Sequence, residues 1–168
     1  EKHFPVWISD VNKLTDAYEM IEQIAIIRNK ESKAKMLISH IKENFSQLQH
    51  SNSNPQTIYL IWQKPYMTVG GDTFIHSMIE AAGFQNIYAN STRYPEVTIE
   101  ELKAKNPDLI ILSSEPFPFN QKHIDELQVH LPTTKIVLAD GEMFSWYGSR
   151  LIKAPAYFAT VSEQIVRP

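Results

Sequence analysis

"DLIILSS", Asp108 to Ser114, decides the fold. Four aliphatic residues in succession leave no polar face, so a strand here is covered on both sides, as in a parallel sheet. Two further runs share the character: "TIYLIWQ", Thr57 to Gln63, and "KIVLAD", Lys135 to Asp140. Between them the apolar spacing turns helical, over about 73–82, 99–105 and 121–131, with a short strand at "NIYA" near Asn86. The alternation implies right-handed crossovers and a three-layer α/β/α lobe with a parallel sheet.

Upstream the period is helical throughout. Leu14, Tyr18, Ile21, Ile24 or Ala25, and Ile27 predict a helix over 12–29; Met36, Leu37, Ile41, Phe45 and Leu48 predict a second over 31–49. "HSNSNPQ", 50–56, is polar, holds a proline and reads as a linker. "FPVWIS", 4–9, is a strand candidate without an evident partner. Downstream of Asp140, helix is expected from about Met143 to Ile165, broken at Pro155.

Composition narrows the function. The net charge is −3 and the sixteen Lys and Arg form no stripe, which excludes a nucleic-acid footprint. No apolar stretch approaches the roughly 18 residues that cross a bilayer. With no cysteine there is no disulfide, thiolate metal site or cysteine nucleophile. The chain begins at Glu1 without a methionine, so its encoded start is expected upstream.

Ligands of open parallel sheets bind beyond the carboxyl ends of the strands. The first exit, "WQKPYM", carries Trp62, Tyr66 and Met67; the second, "SEPFPF", carries Phe117 and Phe119; the third, "DGEMFSWYGSRL", carries Phe144, Trp146 and Tyr147. With Tyr94 of "RYP", these segments hold eight of the eighteen aromatic residues, far more than even scatter would place at one edge. A plug closing the sheet end is the ordinary use of such rings. Pro65, Pro95, Pro116 and Pro118 stiffen the same loops, which favours instead a rigid aromatic rim for a large, partly apolar ligand. Asp140, Arg93, Glu115 and Arg150 would supply polar contacts.

Catalytic signatures are weak. "VGGDTF" opens a helix, but Asp72 stands where an anion would bind, and Asp72 or Thr73 serves better as N-cap. Ser113 and Ser114 lack a glycine elbow. His123, Glu126 and His130 share a helix face that suits solvent better than a metal. Thr98 and Glu101 form a capping box, which leaves Glu100, with Glu96, as an acidic cluster that suits either the positive end of the helix dipole or a basic partner.

"W-x-x-P" at 62–65, "GGDTFI", "AAGFQNIY", "RYPEVTIEEL", "NPDLIILSSEPFPF" and "DGEMFSWYGSR" occur in one order along the chain. In that order they resemble the helical-backbone substrate-binding proteins of ABC importers, the cobalamin and iron-siderophore receptors. The resemblance implies a remnant of a first lobe at 1–10, an interdomain helix and a following helix at 11–50, and a C-terminal ligand-binding lobe at 57–168. It implies ligand contacts at Trp62, Tyr66, Arg93, Tyr94, Phe117, Asp140, Phe144 and Trp146, and docking of Glu100 to arginines of a permease. No cofactor and no resident metal are expected. The ligand would be cobalamin or a ferric siderophore, and the location periplasmic or otherwise extracytoplasmic at a membrane. An exposed rim also predicts self-association. The alternative is a cofactor-dependent α/β enzyme that uses the same edge, with Asp140 or Glu115 essential to turnover.

Overall fold

The computed structural model describes residues 5–49 and 54–166. Two helices come first, α1 (Leu14–Arg28) and α2 (Glu31–Ser46). The lobe follows as β1 (Gln56–Leu60), β2 (Tyr66–Met67), α3 (Phe74–Ala81), β3 (Gln85–Asn86), β4 (Glu96–Val97), α4 (Ile99–Lys105), β5 (Leu109–Ser113), α5 (Gln121–His130) and β6 (Lys135–Ala139). A short α6 (Glu142–Ser145), a 3-10 turn (Ser149–Ile152) and α7 (Ala154–Val166) end it.

The main sheet has the order β3-β1-β5-β6 and every pair is parallel. β5 is buried along its whole length and β1 beyond Gln56, as their unbroken apolar sequences require. Alternate residues feed two cores. Tyr59, Ile111 and Val137 pack with residues of α1, α2, α3 and α7; Leu60, Ile110 and Ile136 pack with Leu102 of α4 and Leu127 of α5. The three expected layers are therefore present.

Caps set the helix limits. The Thr73 hydroxyl accepts from the His76 N–H at 3.2 Å and starts α3. The Thr98 N–H donates to the Glu101 carboxylate at 2.7 Å and the Glu101 N–H to the Thr98 hydroxyl at 3.2 Å, a capping box that starts α4. Asn29 and Asn106 close α1 and α4 in the left-handed conformation.

Three local expectations are corrected. The described part of "FPVWIS", Pro5 to Ser9, is irregular and exposed rather than a strand, and none of the described strands pairs with it; Phe4 falls outside the described residues. The C-terminal helix breaks around Trp146 to Gly148, whereas Pro155 sits in the first turn of α7, where its missing N–H costs no hydrogen bond. The packed stripes of α1 and α2 centre on Ala17, Ile21, Ala25, Ala34, Ile38 and Ile41, while Ile27 and Met36 are exposed. Leu14, Tyr18, Leu37, Phe45 and Leu48 of the expected stripes do pack against the core, so the departure is confined to Ile27 and Met36.

Candidate functional site

The chain runs from β1 outward to β3 and then returns to the other side of β1 through β5. This reversal opens a crevice at the carboxyl ends of β1 and β5. A cleft of about 720 Å³ lies there, a volume suited to a sizeable small molecule. Ile61, Trp62 and Met67 line it from the first exit, and Glu115 and Pro116 from the second. Ile75 of α3, Tyr94 and Ser145 complete it. Trp62 and Tyr94 remain 40% and 43% exposed, so their rings are accessible to a ligand. A groove of about 450 Å³ between α2 and α7 is smaller and away from the strand exits.

Backbone hydrogen bonds hold Tyr94 in place. β2 pairs antiparallel with β4, and beyond it Thr68 N–H donates to Pro95 O at 3.0 Å, Gly70 N–H to Arg93 O at 2.7 Å and Gly71 N–H to Ser91 O at 2.9 Å. The Arg93 N–H in turn donates to the Asp72 carboxylate at 2.5 Å, which fixes Arg93 at φ 54°. A Cβ on Gly70 would overlap the Ser91 carbonyl oxygen. The glycine pair thus admits a neighbouring loop rather than a phosphate, and Asp72 anchors that loop.

Ring contacts brace Trp62. It meets Phe117 edge to face at 5.6 Å between centroids, and Phe117 meets Phe119 at 4.7 Å. His123 lies edge to face against both phenylalanines, while its Nδ1 accepts from the Asn120 N–H at 3.0 Å. His123 is thereby engaged as a helix cap and a ring brace. Among the described residues no three His, Cys, Asp or Glu side chains cluster as metal ligands do.

The second and third exits are tied together by polar contacts. Trp146 Nε1–H donates to Glu115 Oε2 at 3.2 Å. The Arg150 guanidinium stands 5.5 Å from the Trp146 ring centroid and pairs with Glu142. The Tyr59 hydroxyl donates to Ser113 Oγ at 3.1 Å, and Ser113 Oγ–H donates to the Glu115 carbonyl at 2.5 Å. Burial pushes the Tyr59 phenol well above its ordinary value, so it stays neutral and donates. Ser114 Oγ accepts from the Gly141 N–H at 3.0 Å. Both serines are therefore employed in holding the exits together.

The structure divides the sequence-derived site residues. Trp62 and Tyr94 line the cleft, and Trp146 stands beside it, half exposed and bonded to Glu115. Arg93 lines an adjoining groove of about 230 Å³ shared with Tyr94 and Ser145. Phe117 is half-buried behind Trp62, and Tyr66 is half-buried with its hydroxyl accepting from Gln63 at 3.1 Å. Asp140 uses one carboxylate oxygen to accept from the Glu142 N–H at 3.0 Å, an Asx turn into α6. Phe144 is corrected: it is fully buried, 5.1 Å from Tyr59 and 4.7 Å from Phe158 between centroids, so it supports the site from within. Ile75 and Ser145 were not foreseen. Each neighbours a core phenylalanine in sequence, and only the helical turn shows that the next residue faces the cleft.

Rings, a thioether and aliphatic side chains surround a single carboxylate in this cleft. The sequence profile of the periplasmic binding protein family matches residues 1–135, and the chain belongs to that family. The vitamin B12-binding protein of Vibrio parahaemolyticus is 25% identical over 113 residues, covering 65% of this chain and 41% of its own length. An uncharacterized ABC transporter substrate-binding lipoprotein of Bacillus subtilis, YvrC, is 25% identical over 111 residues, 62% of this chain and 35% of its own. The crystal structure of a candidate iron-binding (periplasmic solute-binding) protein from Staphylococcus epidermidis superposes with a TM-score of 0.79 at 19% identity, over 96% of this chain and 66% of that one. This chain thus spans well under half the length of these curated relatives. A family of binding proteins displaces the enzyme alternative.

Proposed function

We propose that this chain is the C-terminal lobe and interdomain helix of a substrate-binding protein that delivers cobalamin or a ferric siderophore to an ABC permease. The observation that carries the reading is the cleft of about 720 Å³ at the strand reversal, with two accessible rings, Trp62 and Tyr94, held over it by braced loops. Such rings stack on a large planar or caged ligand at low entropic cost. In this reading the lobe forms half of the clamp and a first lobe covers the ligand's other face. Glu100, exposed on the first turn of α4 near Glu96, docks to arginines of the permease. The protein works outside the cytoplasm at a membrane, and its rim, when uncovered, promotes self-association.

Intrinsic fluorescence tests the reading, because two of the three tryptophans, Trp62 and Trp146, stand at the cleft. Titrating the full-length protein with cobalamin and with ferric siderophores should quench the emission saturably. An unchanged spectrum across the panel overturns it.

A further inference from the structure

The charge around the cleft is one-sided. Glu115 is the one carboxylate or cation among the described residues that line it. Its carboxylate is aimed by the bond from Trp146 Nε1–H to Oε2 at 3.2 Å, and among the described residues no donor is bonded to Oε1. Two arginines of the neighbouring segments face carboxylates, and Lys64 lies outside the lining. Arg150 pairs with Glu142. Arg93 faces the adjoining groove with Nε 4.0 Å from Asp72 Oδ2, where Asp10 also lies. Lys64 is exposed in the turn after Trp62 and is not part of the lining. Glu96 and Glu100 add negative charge beyond Tyr94.

We infer that this lobe selects uncharged or cationic chelates bearing hydrogen-bond donors, and that Glu115 is the residue that turns polyanions away. The inference rests on the proposed function and narrows it. A carboxylate held at the mouth of an apolar cleft accepts from an amide or hydroxyl of the ligand. The same carboxylate repels a ligand carboxylate or catecholate, and among the described residues no lining cation offsets that repulsion. Neutral corrinoids and hydroxamate chelates fit this chemistry; tris-catecholate complexes and dicarboxylate porphyrins do not.

The test is a titration of the full-length protein at low and moderate salt with four probes. Cyanocobalamin is neutral, ferrioxamine B cationic, ferric enterobactin polyanionic, and hemin carries two propionates. The expected result is that at least one of the first two binds at least about tenfold more tightly than either anion, a gap that narrows with salt. Glu115→Gln keeps an oxygen to accept from Trp146, so it should hold its place. It should shrink the ratio of neutral to anionic affinity by about tenfold, with an unchanged melting temperature showing that the fold persists. Equal binding of anions by the unaltered protein overturns the inference and leaves the receptor reading standing, as does a ratio unmoved by Glu115→Gln. Failure of all four probes to bind removes the receptor reading and the inference together.

Discussion

Gly71 lies directly against Ala89: a Cβ at position 71 would overlap the Ala89 carbonyl oxygen. The contact brings residues 89–95 onto the strand exit, where Gly70 and Gly71 N–H groups bond Arg93 O and Ser91 O. Gly71→Ala should push that loop away and take Tyr94 out of register with Trp62. We expect a stability loss of about 1–3 kcal/mol, the usual cost of overpacking, and at least a tenfold loss of ligand affinity. Denaturant melts and fluorescence titration of the variant check both; unaltered affinity would show that the clasp does not position the rim.

The exposed rings and the buried ring should separate cleanly on mutation. Trp62→Ala and Tyr94→Ala remove accessible surface and should weaken ligand binding roughly tenfold or more each, with little change in stability. Phe144→Ala opens a cavity against Tyr59 and Phe158 and should cost about 3–5 kcal/mol. Phe144→Leu, which keeps most of the volume, should then bind ligand nearly as well as the parent. Calorimetric melts beside titrations distinguish the two classes.

These contrasts show what the amino-acid order reveals. β5 was legible because a strand covered on both faces needs an unbroken apolar run, which Leu109 to Leu112 supply. The rim was legible only in part: Trp62 and Tyr94 line the cleft and Trp146 stands beside it, whereas Phe119 and Phe144 are buried, because a count of rings at one edge does not separate those that face outward from those that brace them. Phe144 was misplaced because a four-residue helix has too few turns for its period to separate inside from outside. The clasp between residues 68–71 and 89–95 was hidden for another reason: its bonds join backbone groups, which every sequence possesses, and only the glycine pair marks the approach. Most of the packed face of α1 was legible, since Leu14, Tyr18, Ile21 and Ala25 recur at helical spacing and pack on the core; Ala17 was missed because an alanine carries a weaker signal than the exposed Ile27.

Adjacent glutamates at the start of α4 should behave differently. Glu101 is bound to Thr98, so Thr98→Ala should destabilise the protein by about 0.5–2 kcal/mol through loss of the cap. Glu100→Lys leaves that box intact. It should spare ligand affinity while reducing stimulation of the permease's ATPase in proteoliposomes, because it reverses a charge proposed to meet permease arginines. Equal stimulation by parent and variant would remove Glu100 from the docking surface.

Alkaline pH should unfold the protein through its tyrosines. Burial raises the phenols of Tyr18, Tyr59, Tyr88 and Tyr157 above the ordinary value of 10.0, Tyr59 the most, with the Asp140 N–H working in the opposite direction at Tyr157. A raised folded value means the native state holds its proton more tightly than the unfolded chain. The stabilisation is therefore complete below about pH 10 and is lost as pH rises beyond it, where the unfolded chain ionises first. The urea midpoint should hold level from pH 8 to 9 and fall steeply above 10. Tyr59→Phe removes the most strongly shifted group together with its bond to Ser113, so it should start from a lower midpoint and decline less steeply. A parallel decline in parent and variant would show that Tyr59 is not the residue that makes the fold alkali-sensitive.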